Sequence, residues 1–176
     1  MAMHERLGEK QSIERGTAEG FLLLYNRLHA ADFRVVEVSD SPDVRCIDSS
    51  GQELNLEVTM TEDLPCDIRA VLGRSDVRSL RSLRAHLDAV RNGREPPLRA
   101  SSLVELCATV ADRIQRKVNN CYGLDAALVV RDSSGVDWDW DSVIPDIRRQ
   151  LDLTRNPFHR GIWLISRTKD RLFRIL

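Results

Sequence analysis

Residues 42–60 read PDVRCIDSSGQELNLEVTM, a pattern that predicts a β-hairpin. Its centre, residues 48–51, is typical of a turn, because Asp and Ser side chains bond to their own backbone and Gly tolerates a positive φ. Segments suited to β-strands flank this turn on both sides. Folding of the hairpin therefore brings its two open ends together.

Apolar and polar residues alternate strictly over residues 54–60 of this hairpin. The alternation predicts a strand in which Glu57 and Thr59 share the face opposite to the apolar side chains. Those apolar side chains belong to Leu54, Leu56, Val58 and Met60. Because Asp43 enters the preceding strand near the point where Glu57 leaves this one, we expect the two carboxylates to lie close together.

This arrangement resembles the PD-(D/E)XK nuclease superfamily, whose fold is restriction-endonuclease-like. In that superfamily a Pro-Asp opens one strand, an acid-x-Lys lies on the next, and the two acids hold a divalent metal ion. Pro42-Asp43 and Glu57-Val58-Thr59 match this motif except at its last position, where Thr59 replaces the lysine. The resemblance implies a metal-dependent nuclease that cleaves phosphodiester bonds, with DNA as the expected substrate.

The order of predicted elements extends the resemblance over residues 12–131. The predicted elements are helix 12–31, strand 33–38, the hairpin, helix 77–90, a helix that opens at 102, strand 124–130, helix 142–152, strand 161–166 and edge strand 172–176. This order contains the α-β-β-β-α-β core of the superfamily, and residues 61–100 are interpreted as a family-specific helical insert. We therefore expect one restriction-endonuclease-like domain over residues 1–176, an α/β three-layer fold with a central mixed sheet.

Two neighbouring carboxylates repel, so both stay ionised most easily when a cation lies between them. Oxygen ligands of this kind suit Mg²⁺ or Mn²⁺. The expected ligands are Asp43, Glu57 and the main-chain carbonyl of Val58. The alternative is structural: Asp43 as a turn residue and Glu57 as a solvated residue on an exposed strand face.

Many members of the superfamily add an acid from the first helix, and Glu14 and Glu19 are the candidates here. At 3.6 residues per turn, Glu14 falls at the margin of the apolar stripe of helix 12–31, whereas Glu19 points nearly the opposite way. Glu14 is therefore predicted to be the auxiliary acid. The alternative is a solvated charge near a helix N-terminus, where the helix dipole favours acids.

A cation must replace the missing motif lysine, because the hydroxyl of Thr59 offers no positive charge. Only three of the 26 basic residues are lysines: Lys10, Lys117 and Lys169. Lys117 follows Ile114 by three positions, which places it within the apolar stripe of the helix that opens at 102. It is predicted to reach the two acids, with snorkelling to solvent as the alternative. Gln115 and Tyr122 are further candidates to line the same cleft, with a cap on the hydrophobic core as the alternative for Tyr122.

Four arginines would line one polar side of the predicted helix in the insert: Arg74, Arg78, Arg81 and Arg84. Guanidinium groups in such a row are suited to phosphate contacts, so this face is a candidate nucleic-acid interface. The alternative is a solvated helix face in an arginine-rich sequence. The choice between the two depends on where the insert lies.

The composition argues against several other classes of protein. The chain has 176 residues, 42% of them hydrophobic, and its 26 basic and 27 acidic residues create no global basic field. Four dispersed cysteines and four dispersed histidines argue against structural zinc. No segment approaches the roughly 20 apolar residues of a membrane span, and the N-terminus lacks the apolar run of a signal peptide. We expect a cytoplasmic protein without a membrane partner, with a homodimer among its expected assemblies.

Two functions stay open on these grounds. One is the metal-dependent nuclease, with Asp43 and Glu57 as ligands, Glu14 as auxiliary acid and Lys117 as cation. The other is a degenerate module of the same fold that binds nucleic acid or a protein partner without cleavage. A small-molecule enzyme on an α/β scaffold lacks the support of any Gly-rich phosphate loop or nucleophile motif.

Overall fold

The computed structural model describes residues 2–61, 88, 92–93, 102–134 and 138–176, with side chains in the first range described from Lys10 onwards. Within these residues the chain is an α/β fold of three helices and a six-stranded mixed sheet. Its elements are α1 (Ala2–His29), β1 (Arg34–Val38), β2 (Val44–Ile47), β3 (Glu53–Met60), α2 (Leu103–Val118), β4 (Ala126–Arg131), α3 (Trp140–Arg149), β5 (Ile162–Ile165) and β6 (Leu172–Arg174). Almost all of the predicted helix 77–90 and of the predicted insert 61–100 lies outside the described residues.

The strands follow one another across the sheet in chain order. β1, β2 and β3 form an antiparallel meander, β3, β4 and β5 run parallel, and β6 returns antiparallel to β5. The first five residues of β4 are all buried. The apolar run at residues 124–130 lacks alternation and so predicts a strand covered on both faces. This is confirmed for residues 126–130, since parallel strands at the centre of a sheet bury both sides. Leu124 precedes the strand and is 75% exposed.

The predicted hairpin turn between β2 and β3 is also confirmed. One oxygen of Asp48 accepts hydrogen bonds from the N–H groups of Ser50, at 2.9 Å, and Gln52, at 2.8 Å. Gly51 has a φ of 86°, a conformation that a glycine adopts without steric cost. The local chemistry of four residues therefore sets the register of the two strands that carry the acids.

Two hydrophobic cores lie on opposite faces of the sheet. The α1 side holds Ala18, Phe21, Leu22 and Tyr25 of the helix against strand residues that include Leu54 and Leu56. The other side holds α2 and α3 against residues of β4, β5 and β6. Because side chains alternate along a strand, Asn55, Glu57 and Thr59 point to the α2 face.

α1 differs from the predicted helix 12–31 at its start. It begins at Ala2, so Ser12 lies in the helix and does not cap it. Residues 2–11 lack apolar periodicity, but most of them are good helix formers. After His29 the chain turns through Ala30, at a φ of 49°, and Leu28 is 62% exposed although the stripe predicted it to be buried.

Ser102-x-x-Glu105 is the sequence signature of a capping box, and α2 begins with this box, in which Ser102 and Glu105 bond to each other's main chain. Helical spacing predicts one buried stripe along Leu103, Leu106, Val110, Ile114 and Cys121. Leu106, Val110 and Ile114 are buried as predicted. The prediction was wrong for Leu103, which lies exposed in the first turn, and for Cys121, which follows the end of the helix and is exposed. The boundaries of the later elements agree with the predicted ones to within about three residues, the scatter expected of helix and strand ends.

The turn between β5 and β6 packs closely on α1. Lys169 Nζ donates to the main-chain carbonyl of Gly16 at 2.6 Å. A Cβ at Gly20 would lie 2.8 Å from Cδ of Lys169, so the absence of a side chain there permits the approach. This contact holds α1 in place at Gly16, two positions after Glu14 in the helix.

Candidate functional site

The two predicted acids lie where β3 extends beyond the start of β2. Val44 pairs with Leu56, and the same register continued by one residue sets Asp43 opposite Glu57. The N–H of Val58 donates to Asp43 Oδ2 at 2.8 Å. The carboxylate of Asp43 is thereby fixed by the main chain of the strand that carries Glu57.

The loop before β2 holds Asp43 at this position. The N–H of Ser39 donates to the carbonyl of Asp43 at 3.1 Å, and Ser39 Oγ donates to the carbonyl of Pro42 at 2.7 Å. The peptide bond between Ser41 and Pro42 is cis. The Pro-Asp pair thus ends a closed turn and delivers its acid to the strand end.

Lys117 of α2 reaches both acids, which confirms its predicted position. Its Nζ lies 2.6 Å from Glu57 Oε2 and 3.6 Å from Asp43 Oδ2. The two carboxylate side chains are only 5% and 7% exposed. Snorkelling of Lys117 away from the acids, and a solvated Glu57, were the wrong alternatives. Thr59, in the position of the motif lysine, is half-buried on the same strand face.

The protonation state of Lys117 follows from its surroundings. Burial lowers its pKa, but the hydrogen bond to Glu57 and the charges of Asp43 and Glu57 outweigh burial and raise the pKa above its usual value of 10.5. Lys117 is therefore a protonated ammonium at neutral pH. It supplies positive charge and a hydrogen-bond donor to the two acids.

Glu14 also lies at the site, as predicted from the helical phase. It is buried, and Lys10 Nζ lies 3.0 Å from Glu14 Oε1 and 3.7 Å from Asp43 Oδ1. Glu19 is exposed and pairs with Arg15. The predicted position of Glu14 beside the site is confirmed, and its interpretation as a solvated charge is wrong. Its role as an auxiliary acid stays a prediction.

Burial is the main cause of a raised pKa at Glu14. The nearby charge of Asp43 adds to the effect, and the hydrogen bond from Lys10 partly offsets it. The second oxygen, Oε2, is buried and has no hydrogen-bond partner within the described residues. When Glu14 is ionised, the described hydrogen bonds and ion pairs therefore offset only part of the cost of burying its charge.

Charges of opposite sign alternate through the site, in the order Glu14, Lys10, Asp43, Lys117, Glu57. α1 approaches from one face of the sheet and α2 from the other, and both reach Asp43 beyond the start of β2. Among the described residues, three carboxylates face two ammonium groups here, so one negative charge is unbalanced when all five groups are ionised. Such a site attracts a further cation.

The donor chemistry fits a hard divalent cation, although the lysines now occupy its neighbourhood. Carboxylates of Asp43 and Glu57 are oxygen ligands, and the Val58 carbonyl lies on the same side of β3 as the N–H that binds Asp43. As they stand, no group of three or more His, Cys, Asp or Glu side chains among the described residues could hold a metal ion. An ion bound here would therefore use two carboxylates, the Val58 carbonyl and water, or would draw in Glu14.

A cavity of about 150 Å³ adjoins Glu57. Its lining includes Asn55, whose Oδ1 is buried and lacks a partner among the described residues, and Tyr122, whose ring packs on Phe158. Tyr122 thus lines the cleft as predicted. Gln115 does not line this cavity: it binds the main chain of Asp152, at 2.9 and 3.1 Å.

Sequence reasoning missed Lys10 and Asn55. Lys10 carried a usable signal, because it is one of three lysines and stands four residues before Glu14, the spacing of a helical ion pair. Asn55 shares a strand face with Glu57, so the alternation that placed Glu57 also placed it. The four arginines proposed to contact phosphates, Arg74, Arg78, Arg81 and Arg84, lie outside the described residues.

Among the described helices, none combines the length and the apolar character needed to cross a bilayer. Comparison of the chain with protein-family models, with curated proteins and with solved structures finds no match in any of the three. Its function is therefore inferred from the residues of the site.

Proposed function

We propose that this chain is a metal-dependent nuclease of the PD-(D/E)XK type, which cleaves phosphodiester bonds in nucleic acid, with DNA as the expected substrate. The observation that carries the proposal is the convergence of Asp43, Glu57 and Lys117. The first two occupy the acidic positions of the motif. Lys117 brings from α2 the positive charge that Thr59 cannot supply to these acids.

The element order supports the restriction-endonuclease-like assignment. A helix, a three-stranded meander, a helix and a parallel strand follow one another from α1 to β4. Glu57 lies on the third strand of the meander and Asp43 directly before the second, close to the positions that the motif requires, and helices pack on both faces of the sheet. The proposed nucleic-acid contacts of Arg74, Arg78, Arg81 and Arg84 belong to this proposal as well.

Each residue has a separate role in the proposed reaction. Asp43 and Glu57, with the Val58 carbonyl, hold Mg²⁺ or Mn²⁺, which when bound supplies a Lewis acid to the scissile phosphate. The Val58 N–H keeps the Asp43 carboxylate oriented. Lys117 stays protonated and stabilises negative charge that develops on the phosphate. Glu14 adds negative charge that favours a divalent cation over a monovalent one.

A cleavage assay on duplex and single-stranded DNA and RNA, in Mg²⁺, Mn²⁺ or EDTA, tests the proposal. We expect cleavage that needs the divalent ion and that falls by at least about two orders of magnitude in Lys117→Met. Arg116→Met is the matched control, because Arg116 is the exposed neighbour that pairs with Asp112. Equal loss in both variants would contradict the role of Lys117.

A second candidate is a degenerate module that binds nucleic acid or a protein without cleavage. It is favoured by the two lysines, which already pair with all three acids. Under this alternative the purified protein binds nucleic acid equally well in EDTA and in Mn²⁺ and never cleaves it. Metal-dependent cleavage that is lost in Asp43→Asn excludes this alternative.

A further inference from the structure

Lys10 lies between two carboxylates that belong to different elements. Its Nζ is 3.0 Å from Oε1 of Glu14 on α1 and 3.7 Å from Oδ1 of Asp43 at the start of β2. Both carboxylates are buried, at 6% and 7% side-chain exposure, whereas the side chain of Lys10 is 52% exposed. A half-exposed cation therefore caps a buried pair of acids.

The charges of the site indicate what this cation replaces. With Lys10 and Lys117 both in place, the three acids keep one uncompensated negative charge, and Glu14 Oε2 keeps no partner within the described residues. A divalent ion held by Asp43 and Glu57, with Glu14 drawn in and Lys10 released to solvent, would bring the site to neutrality. It would also offer a ligand position to the unpartnered oxygen, since hard cations prefer carboxylate oxygens.

We propose that the Lys10 ammonium is an internal competitor of the divalent cation: it occupies the position between Glu14 and Asp43 and is displaced to solvent when the ion binds. This inference rests on the metal site of the proposed function. Release of Lys10 is favoured by its exposure, because ion pairs of exposed lysines are weak. Lys117 stays in place, since it contacts the acids from α2 on the other face.

The first test is Mn²⁺ affinity, measured by titration calorimetry on metal-free protein without substrate. Removal of the competitor in Lys10→Gln should tighten Mn²⁺ binding about two- to fivefold, the range that corresponds to the weak ion pairs of exposed lysines. Arg15→Gln is the matched control: it removes the same charge from α1, but Arg15 pairs with Glu19. It should leave the affinity unchanged.

The outcomes separate the inference from the proposed function. Tighter binding in Lys10→Gln alone, or binding that appears only in that variant, supports the competition. Equal Mn²⁺ affinity in wild type and Lys10→Gln overturns the competition and leaves the metal site intact. Absence of Mn²⁺ binding in every protein overturns both. An equal gain in Arg15→Gln reduces the effect to net charge and also overturns the competition.

A second readout uses the wild-type chain and so does not depend on a variant. Amine acetylation followed by mass spectrometry reports separately on Lys10, Lys117 and Lys169. We expect Mn²⁺ to raise the acetylation rate of Lys10 relative to Lys169, whose ammonium is bonded to the Gly16 carbonyl and serves as the internal reference. An unchanged ratio at saturating Mn²⁺ would contradict displacement of Lys10.

Discussion

Lys117 Nζ lies 2.6 Å from Glu57 Oε2, although 60 positions separate the two residues in the chain. The contact exists because β3 turns Glu57 towards α2 and because α2 turns Lys117 towards the sheet. Tertiary packing thus brings to Glu57 a positive charge that its own strand does not carry.

Replacement of Lys117 by Met should destabilise the metal-free protein by roughly 1.5–3 kcal/mol, because it leaves the buried Glu57 without its charged donor. Urea denaturation in EDTA measures this change. Arg116→Met should cost less than about 1 kcal/mol, since its ion pair with Asp112 is exposed. Similar losses in the two variants would show that Glu57 is compensated in another way.

A lysine at position 59 should partly restore cleavage to the Lys117→Met variant. Thr59 shares a strand face with Glu57, and two residues along a strand span about 6.6 Å, so a lysine side chain there can reach the acids. Single-turnover cleavage rates of the double variant Thr59→Lys, Lys117→Met measure the rescue. Thr59→Gln in the same background is the control, because it adds length without charge; rescue by Gln would contradict an electrostatic role.

The two replacements of Asp43 should separate its structural role from its charge. Asp43→Asn retains an oxygen that accepts from the Val58 N–H, whereas Asp43→Ala leaves that donor unsatisfied. We expect Ala to cost about 1–3 kcal/mol more than Asn in the free energy of unfolding, and both to abolish metal-dependent cleavage. Urea denaturation and the cleavage assay, run on both variants, check the two parts. Equal stability of the two would show that the hydrogen bond to Val58 contributes little.

The pH dependence of stability should report the buried Glu14. Burial raises its pKa above the usual 4.5, so the folded state holds the proton more tightly than the unfolded state does. The stability that this adds is fully present below pH 4.5 and is lost as the pH rises through the folded-state pKa. Relative to Glu14→Gln, the wild type should therefore become steadily less stable as the pH rises from 4 towards 7.

Urea denaturation of both proteins in EDTA at a series of pH values measures this difference. Glu19→Gln is the control, because Glu19 is exposed and pairs with the exposed Arg15. A wild type that gains stability over Glu14→Gln across the same range would show that the Lys10 pair outweighs the burial of Glu14.

The position of the acids was predictable from the sequence because each step was local. The turn at residues 48–51 set the hairpin register, strand alternation set the face of Glu57, and helical phase chose Glu14 over Glu19 and turned Lys117 inward. Alternation gives the face of a residue but not what covers that face. The burial of Glu57 depends on α2, which lies far along the chain, and so the sequence left it open.

The remaining errors share a physical cause. Lys10 precedes the predicted helix start at residue 12, so the predicted helix does not fix the position of Lys10 relative to Glu14. Leu28 and Leu103 lie near helix ends, where an apolar stripe continues past the core that it covers elsewhere. The spacing of apolar residues along a helix does not show where the sheet on which the helix packs ends.

The bond from Lys169 to the Gly16 carbonyl joins positions 153 residues apart and fixes α1 two residues from Glu14. Contacts of such long sequence separation form late, because the loop that they close must first be ordered. During synthesis, α1 and the hairpin emerge from the ribosome well before the turn between β5 and β6. A nascent chain therefore carries the acids of this site before it carries Lys169, whose bond to Gly16 holds α1, and with it Glu14, in position.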